Sequence, residues 1–406
     1  MFKRLMLLVM TLALLVGMGV ATAAKAGDGT LSGNMVYRWM GMNNYDQNSD
    51  IDDAVSESQL RTRIIYSGEV DDNVAYNVTV QNYRVLGDPN DYNDIYQATF
   101  TVKDFLADDL DMTFGRMPVA FGRQRVVGVE DWDLATDILF DGVLGSYGFE
   151  QGWLDFFWFT LNETYGSKYS THVGDQNLMG LYMHYDANEN FWFEPYALAV
   201  ITENWNDPDI DNDRMFMFGS LFDYHRSGFH FYGEGVFQTG TNYWETKAVA
   251  SQDISAFGGY AGLFYDFDAQ TEPFIGFEFN YASGTEAGET DMKTFASPFG
   301  SRSDYLGRMN IVDWSNVIAY RFAGGFTPTT DLDLTADFYL FQLAEDNGGE
   351  SNIGTELDIQ MNYMLNDNVD LVGGLGLFTY DDQAQFGYVD PGDSMILGWI
   401  GARAHF

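Results

Sequence analysis

Along most of the chain, apolar and polar residues alternate with a period of two. That is the spacing of a strand with two different faces, not the 3.6 of an amphipathic helix. Met35, Tyr37 and Trp39 share one face, and Leu60, Thr62, Ile64 and Tyr66 share another, opposed by Arg61 and Arg63. Tyr76, Val78 and Val80 oppose Asn77, Thr79 and Gln81. The alternation is clearest late in the chain, where Leu332, Leu334, Ala336, Phe338 and Leu340 interleave with Asp333, Thr335, Asp337 and Tyr339. Leu357, Ile359, Met361, Tyr363 and Leu365 likewise interleave with Glu356, Asp358, Gln360 and Asn362. In the final stretch from Met395, the residues Ile396, Gly398, Ile400, Ala402, Ala404 and Phe406 form a greasy face, and Gly401, Arg403 and His405 a wet one. A transmembrane barrel has to end on such a strand. Its last strand pairs with its first, with one face in lipid and the other toward water.

The connections between these segments alternate between long and short. Long polar gaps fall near residues 43–55, 86–94, 117–137, 162–176, 204–213, 241–253, 285–313, 344–352 and 381–393. Short turns fall near 69–73, 107–109, 149–152, 186–190, 226–228, 268–271, 327–330 and 366–368. Nine long and eight short connections predict an all-β fold. The expected architecture is a transmembrane antiparallel up-and-down β-barrel of about 18 strands, with short periplasmic turns and long extracellular loops. A soluble sandwich of this length would need two domains, and its connections would not sort in this way. A closed barrel leaves no strand edge unpaired. At this strand number the interior is too wide for side chains alone to fill, so it is expected to hold water, inward-folded loops or both.

The N-terminus adds export. Lys3 and Arg4 precede an apolar run from Leu5 to Val20, followed by small-x-small sites at Ala21-Thr22-Ala23 and Ala24-Lys25-Ala26. Residues 1–26 therefore read as a secretory signal peptide, and 27–406 as a single barrel domain. No other run is long and apolar enough for a membrane-crossing helix. The absence of cysteine excludes disulfides, thiolate metal sites and covalent haem attachment. The 20 Lys and Arg against 60 Asp and Glu argue against nucleic-acid binding. Such acidity often accompanies disorder, but 33 Phe, 25 Tyr and 9 Trp point instead to a barrel with aromatic girdles and acidic loops.

The segment Gly115-Arg116-Met117-Pro118-Val119-Ala120-Phe121-Gly122-Arg123-Gln124-Arg125, continuing to Glu130-Asp131-Trp132, is apolar and cationic in an otherwise anionic chain. Folded into the lumen, it would set its arginines against an acidic wall and narrow a pore. Arg116, Arg123, Arg125, Glu130 and Asp131 are the candidate constriction residues. Arg61, Arg63, Asp333, Asp337, Glu356, Asp358 and Arg403 are the candidate lumen-facing residues. On a plainer reading, the loop arginines pair with lumen carboxylates and stiffen the barrel.

Gly-Arg-x-x-x-x-Phe-Gly-Arg-Gln-Arg from Gly115, followed by Asp131-Trp132 and Phe140-Asp141-Gly142-Val143, resembles the alginate-export family of outer-membrane porins. So do Glu278-Phe279-Asn280-Tyr281-Ala282-Ser283-Gly284, Thr294-Phe295, Asn316 after Trp314 and Gly354-Thr355-Glu356-Leu357-Asp358. The resemblance implies a monomeric eighteen-stranded barrel whose loops constrict the lumen, with a cationic constriction in members that export a polyuronate. This chain departs from that pattern. Loss of Lys3, Arg4 and Lys25 from the 20 basic residues leaves 17 against 60 acids, although Arg38, Arg61, Arg63, Arg84, Arg116, Arg123 and Arg125 concentrate in the first third.

Other chemistry has little support. Asp207-Pro208-Asp209-Ile210-Asp211-Asn212 begins like a calcium loop, but Asn212 stands at the glycine position and Phe218 at that of the bidentate Glu. Asp46, Asp50, Asp52 and Asp53, or Asp88, Asp91 and Asp94, read first as solvated loop carboxylates. His172, His184, His225, His230 and His405 show no metal or catalytic spacing, so neither an enzyme nor a cofactor or metal is expected. Trp39, Trp158, Trp192 and Trp399 are expected in interfacial belts, while Trp132 and Trp205 lie in loops where they could stack on a sugar. The expectation is an outer-membrane porin for passive diffusion of small polar solutes, its lumen mostly acidic. Its partners would be outer-membrane lipid, lipopolysaccharide, and a small-molecule or oligosaccharide solute. The alternatives are a structural barrel sheathing a partner protein and an exporter of an acidic polysaccharide.

Overall fold

A computed structural model of the chain describes residues 29–44, 53–90, 92–129, 134, 138–162, 175–202, 213–242, 252–301, 305–381 and 394–406. The strands are β1 (Thr30–Asn43), β2 (Val55–Asp71), β3 (Val74–Val85), β4 (Tyr92–Val102), β5 (Leu110–Met117), β6 (Phe140–Phe149), β7 (Gly152–Asn162), β8 (Gln176–Asn188) and β9 (Phe191–Thr202). They continue with β10 (Asp213–Arg226), β11 (Phe229–Asn242), β12 (Gln252–Asp266), β13 (Phe274–Ala282), β14 (Val317–Thr329), β15 (Leu332–Leu343), β16 (Asn352–Asn366), β17 (Val369–Tyr380) and β18 (Ser394–His405). Each pairs antiparallel with the next, and β1 pairs with β18 as well as β2, so the 18-stranded sheet closes on itself. Strand number, order and the sorting of turns and loops are those expected from the alternation.

Closure is completed at the last residue. Phe406 and Gly33 exchange both backbone hydrogen bonds, at 2.8 and 3.1 Å, and the Phe406 ring covers Gly33. A Cβ on Gly33 would lie 2.6 Å from that ring, so glycine is what lets the terminal aromatic lie flat across the seam. The outward face of β18 carries Ile396 and Ile400, both exposed, and β17 adds Leu375 and Leu377 beside them. These side chains meet acyl chains, whereas their sequence neighbours Met395, Leu397 and Trp399 are buried inside.

The interior departs from the expected acidic, largely polar lumen. Phe121, Phe140, Phe159, Leu178, Met217, Leu221, Val236, Phe295, Phe341, Phe378 and Leu397 belong to one continuous apolar cluster inside the barrel. It forms because the β5–β6 and β13–β14 connections fold inward, and their Val119, Val126, Val127, Leu306, Met309, Val312 and Trp314 cover apolar lumen positions. Two of the four tryptophans expected in interfacial belts are lumen residues for the same reason. Trp399 is only 6% exposed, and Trp192 packs against the inner cluster. Trp39 and Trp158 face outward.

The outward face makes a quantitative demand. Ile359 lies midway along β16 on the lipid side. Ile359→Arg is expected to destabilise the barrel by about 2–4 kcal/mol in reversible unfolding from lipid vesicles, the cost of a cation at the bilayer midplane. Gln360→Glu, one residue on and facing inward beside lumen arginines, should cost far less, no more than about 1 kcal/mol. Equal effects of the two variants would mean that the faces are misassigned.

Candidate functional site

The inward loops are tied to each other before they are tied to the wall. Val127 and Phe299 form an isolated parallel bridge, with Gly128 N donating to Phe299 O at 2.8 Å and Ser301 N to Gln124 O at 2.8 Å. The Ser297 hydroxyl donates to the Arg125 carbonyl. Gly300 passes so close to that carbonyl that an added Cβ would sit 2.1 Å from its oxygen. Gly122 and Gln124 both adopt positive φ, at 52° and 61°, which turns the loop back on itself and aims consecutive arginines at the wall. Phe121 anchors the turn, its ring centroid 4.4 Å from Tyr182 and 5.4 Å from Phe157 in stacked geometry.

Arg125 is 3% exposed and sits in a tailored socket. One terminal nitrogen donates to Glu278 at 2.6 Å and the other to Asn280. The guanidinium carbon lies 3.7 Å from the Tyr260 ring centroid and 4.4 Å from that of Tyr305. Burial by itself would lower the guanidinium pKa, but the Glu278 carboxylate beside it more than offsets this, and the group stays charged. Arg123 lies 3.4 Å over the Tyr232 ring, with one nitrogen 3.3 Å from Asp223 and 3.4 Å from His230. Both arginines lie inside the barrel, where these contacts join the loop to the wall of β10 to β13.

The wall beneath them is a ladder of tyrosine–carboxylate pairs. Tyr232 donates to Glu278 at 2.6 Å, Tyr196 to Glu234 at 2.5 Å, and Tyr182 to Glu194, which also takes a 2.7 Å contact from His184. These residues are missing from the sequence-derived candidates. Part of the signal was present, since Glu194 and Tyr196 share one face of β9, and Tyr232 and Glu234 one face of β11.

The remaining candidates divide into three groups. Arg116 is held by Asp141 at 2.8 Å and Asp94 at 3.3 Å at the extracellular ends of β4–β6, apart from Arg123 and Arg125, so it is a rim residue. Glu356 and Asp358 point inward but are covered. They accept the Met309 and Arg308 backbone N–H groups, each at 2.8 Å, and so clamp the β13–β14 connection, while Asp337 pairs with Arg321 at 2.8 Å. Glu130 and Asp131 lie outside the described residues, as do Asp46, Asp50, Asp52, Asp91, Trp132, His172, Trp205, the 207–212 segment and the signal-peptide region.

Of the third group, Arg61, Asp333 and Arg403 line a lumen cavity. This cavity of about 260 Å³ is bounded by Arg38, Arg61, Arg308 and Arg403, with Asp333, Thr335, Gln360 and Asn362 among the facing groups. Asp333 is the second residue of β15 and Arg403 the third from the end of β18, so the cavity occupies the periplasmic half of the lumen. Leu134 and Arg308, from the two inward connections, complete its lining. Register explains the grouping. Arg403 pairs with Val36, which pairs with Arg61, and Arg38 and Arg63 lie one row to either side. Arg38 and Arg63 are splinted by Gln59 and Gln81, each bond 2.6 Å at its shortest, and Arg63 stacks over Tyr96 at 3.7 Å. Among the described residues, many lumen carboxylates are held in pairs and clamps, and the charged residues lining this cavity are four arginines and Asp333.

Removing the Arg125 charge tests the anchor. Arg125→Met leaves Glu278 buried without its cation and is expected to destabilise the protein by about 3–5 kcal/mol, read as a shifted denaturant midpoint. Adding Glu278→Gln should recover most of that loss, and an unchanged midpoint in the single variant would exclude the anchoring role.

A family model described as alginate export matches residues 50–385. No curated protein matches the chain. Among solved structures, Pseudomonas aeruginosa OccK11 (OpdR) is similar at 12% identity and a TM-score of 0.64, over 93% of this chain and 96% of that one. Acinetobacter baumannii OccAB2 is similar at 11% identity and a TM-score of 0.64, over 93% and 98%. Pseudomonas aeruginosa OpdK, solved with vanillate, is similar at 10% identity and a TM-score of 0.62, again over 93% and 98%. Identities this low establish a shared fold. The family match covers most of the barrel and includes both inward connections, and with the closed eighteen-stranded architecture it makes this chain an outer-membrane β-barrel belonging to the alginate export family.

Proposed function

We propose that the protein is a porin that passes small polar solutes down their gradient, with a preference for solutes carrying a carboxylate. The observation that carries this reading is the periplasmic cavity bordered by Arg38, Arg61, Arg308 and Arg403. Arg38, Arg61, Arg308 and Arg403 line it together with Asp333, and guanidinium donors around one space suit hydrogen bonding to a solute carboxylate and orienting dipolar solutes. Family membership supports a second reading within the same chemistry, export of an acidic polysaccharide, because arginines along one wall also suit a polyuronate. The sheath reading is disfavoured by packing, since a partner in the lumen would have to displace the Phe121 and Arg125 anchors.

Planar-bilayer recording of the purified barrel under a salt gradient tests this proposal. The expected result is stepwise conductance with a reversal potential of anionic sign, and block by small carboxylates such as vanillate or by uronate oligomers. Vanillate block alone favours the small-solute reading, and block by long uronate oligomers alone favours export. Arg403→Glu combined with Arg308→Glu should lower the anion-to-cation permeability ratio by about threefold or more. Arg125→Met should raise conductance without reversing the sign, because it loosens the loops and leaves the cavity charges in place. Cation preference in the unsubstituted protein, or well-folded barrels with no conductance, would overturn the proposal.

A further inference from the structure

The outer wall carries a feature that pore function does not explain. Five adjacent strands, β6 to β10, border an open apolar groove of about 480 Å³ on the lipid side, most of it on β7 to β10. Register lays it out in two rows. One runs Trp158, Met179, Ala199, Phe216 and the other Phe156, Leu181, Ala197, Phe218. The small side chains of Ala197 and Ala199 on β9 make the floor. Trp158, which is 57% exposed, and Leu181 wall one side, and Phe216 and Phe218 wall the other. On a smooth barrel wall, acyl chains slide past. Here a chain lying along β9 would be flanked by aromatic rings on one side and by an indole and a leucine on the other.

The extracellular end of this groove is polar and positive. Arg214 lies on the same face of β10 as Phe216 and Phe218, because Met215 and Met217 between them pack inward. It is exposed, and it pairs across the sheet with Ile201, which pairs with Asn177. Asn177 accepts a 3.0 Å hydrogen bond from Trp158 Nε1, which fixes the indole at the rim of the groove. With 14 residues, β10 is about 44 Å long at ~3.4 Å per step and rises about 34 Å at a ~40° tilt. That exceeds the ~25 Å apolar band of such barrels and places Arg214, its second residue, at the level of the outer-leaflet head groups. The other rim arginines on this face are engaged by the barrel itself. Arg116 is held by Asp94 and Asp141, and Arg84 donates to Asn82.

We infer that β7–β10 form a specific binding site for a phosphorylated outer-leaflet glycolipid of the lipid A type, with a phosphate at Arg214 and an acyl chain in the groove beneath it. An apolar slot, a cation directly above its outer end, and a position in the outer half of the bilayer together select that occupant over an uncharged or inner-leaflet lipid. The site belongs to the outer surface and is independent of what passes through the lumen.

Native mass spectrometry of the detergent-solubilised barrel, titrated with bis-phosphorylated, hexa-acylated lipid A, tests the inference. One lipid A molecule should be retained, and about tenfold more weakly by Arg214→Gln, the effect of losing one charge-assisted contact. Ala199→Phe, which fills the floor of the groove, should weaken it to a similar degree. Arg84→Gln, at the rim of β3 on another part of the wall, should leave binding unchanged, and heat-modifiable electrophoretic mobility should show every variant folded. Dephosphorylated lipid A and phosphatidylglycerol should each bind at least about tenfold more weakly than lipid A. The inference is overturned if Arg214→Gln and Ala199→Phe bind like the parent, if Arg84→Gln loses as much as Arg214→Gln, or if phosphatidylglycerol binds as tightly as lipid A.

Discussion

Every backbone N–H and C=O that crosses the hydrocarbon must find a partner within the protein, because lipid offers none. This constraint accounts for the continuous antiparallel ladder, the pairing of β18 with β1, and a seam that runs to the terminal Phe406. Once the ladder closes, each residue has one of only two environments. Ile400 lies in lipid because Trp399 lies in the lumen, and neither position can be exchanged without slipping a register held on both sides.

A barrel of this circumference encloses more space than its own side chains can fill. The chain fills much of it with two connections that meet at the Val127–Phe299 bridge and are fastened to the wall by buried charge. Arg125 with Glu278, and the carboxylates of Glu356 and Asp358 with the backbone of Met309 and Arg308, act at opposite sides of this insertion. Such contacts add little net stability but are costly to break singly, which makes them suited to holding a loop in one place. They also engage acidic groups, and a strongly acidic chain still carries four arginines around one cavity in the periplasmic half of its lumen.

How much was legible in advance differs between the wall and the site. The alternation of Leu332 to Leu340 with Asp333 to Tyr339 places each residue on its face, and the order of long and short gaps yields the strand count. The loop beginning at Gly115 stands out for its arginines, and its entry into the barrel follows from their need for partners. Their destination does not. Arg123 and Arg125 answer to Asp223, Glu278 and Asn280, 100 to 155 residues away, and only the circumferential order of the strands brings these together. Trp192 and Trp399 were misplaced because tryptophan suits a lipid interface as well as an apolar plug. What decides between them is a loop folded against the inner wall.

The sequence by itself therefore determined the membrane barrel, its closure and the two faces of each strand, because those follow from a local period and from the requirement that backbone groups be paired. Tertiary structure alone decided which lumen charges meet one another, and which outward side chains combine into a groove beneath Arg214. These depend on neighbours across strands and on loops that return through the interior, and no local pattern encodes either.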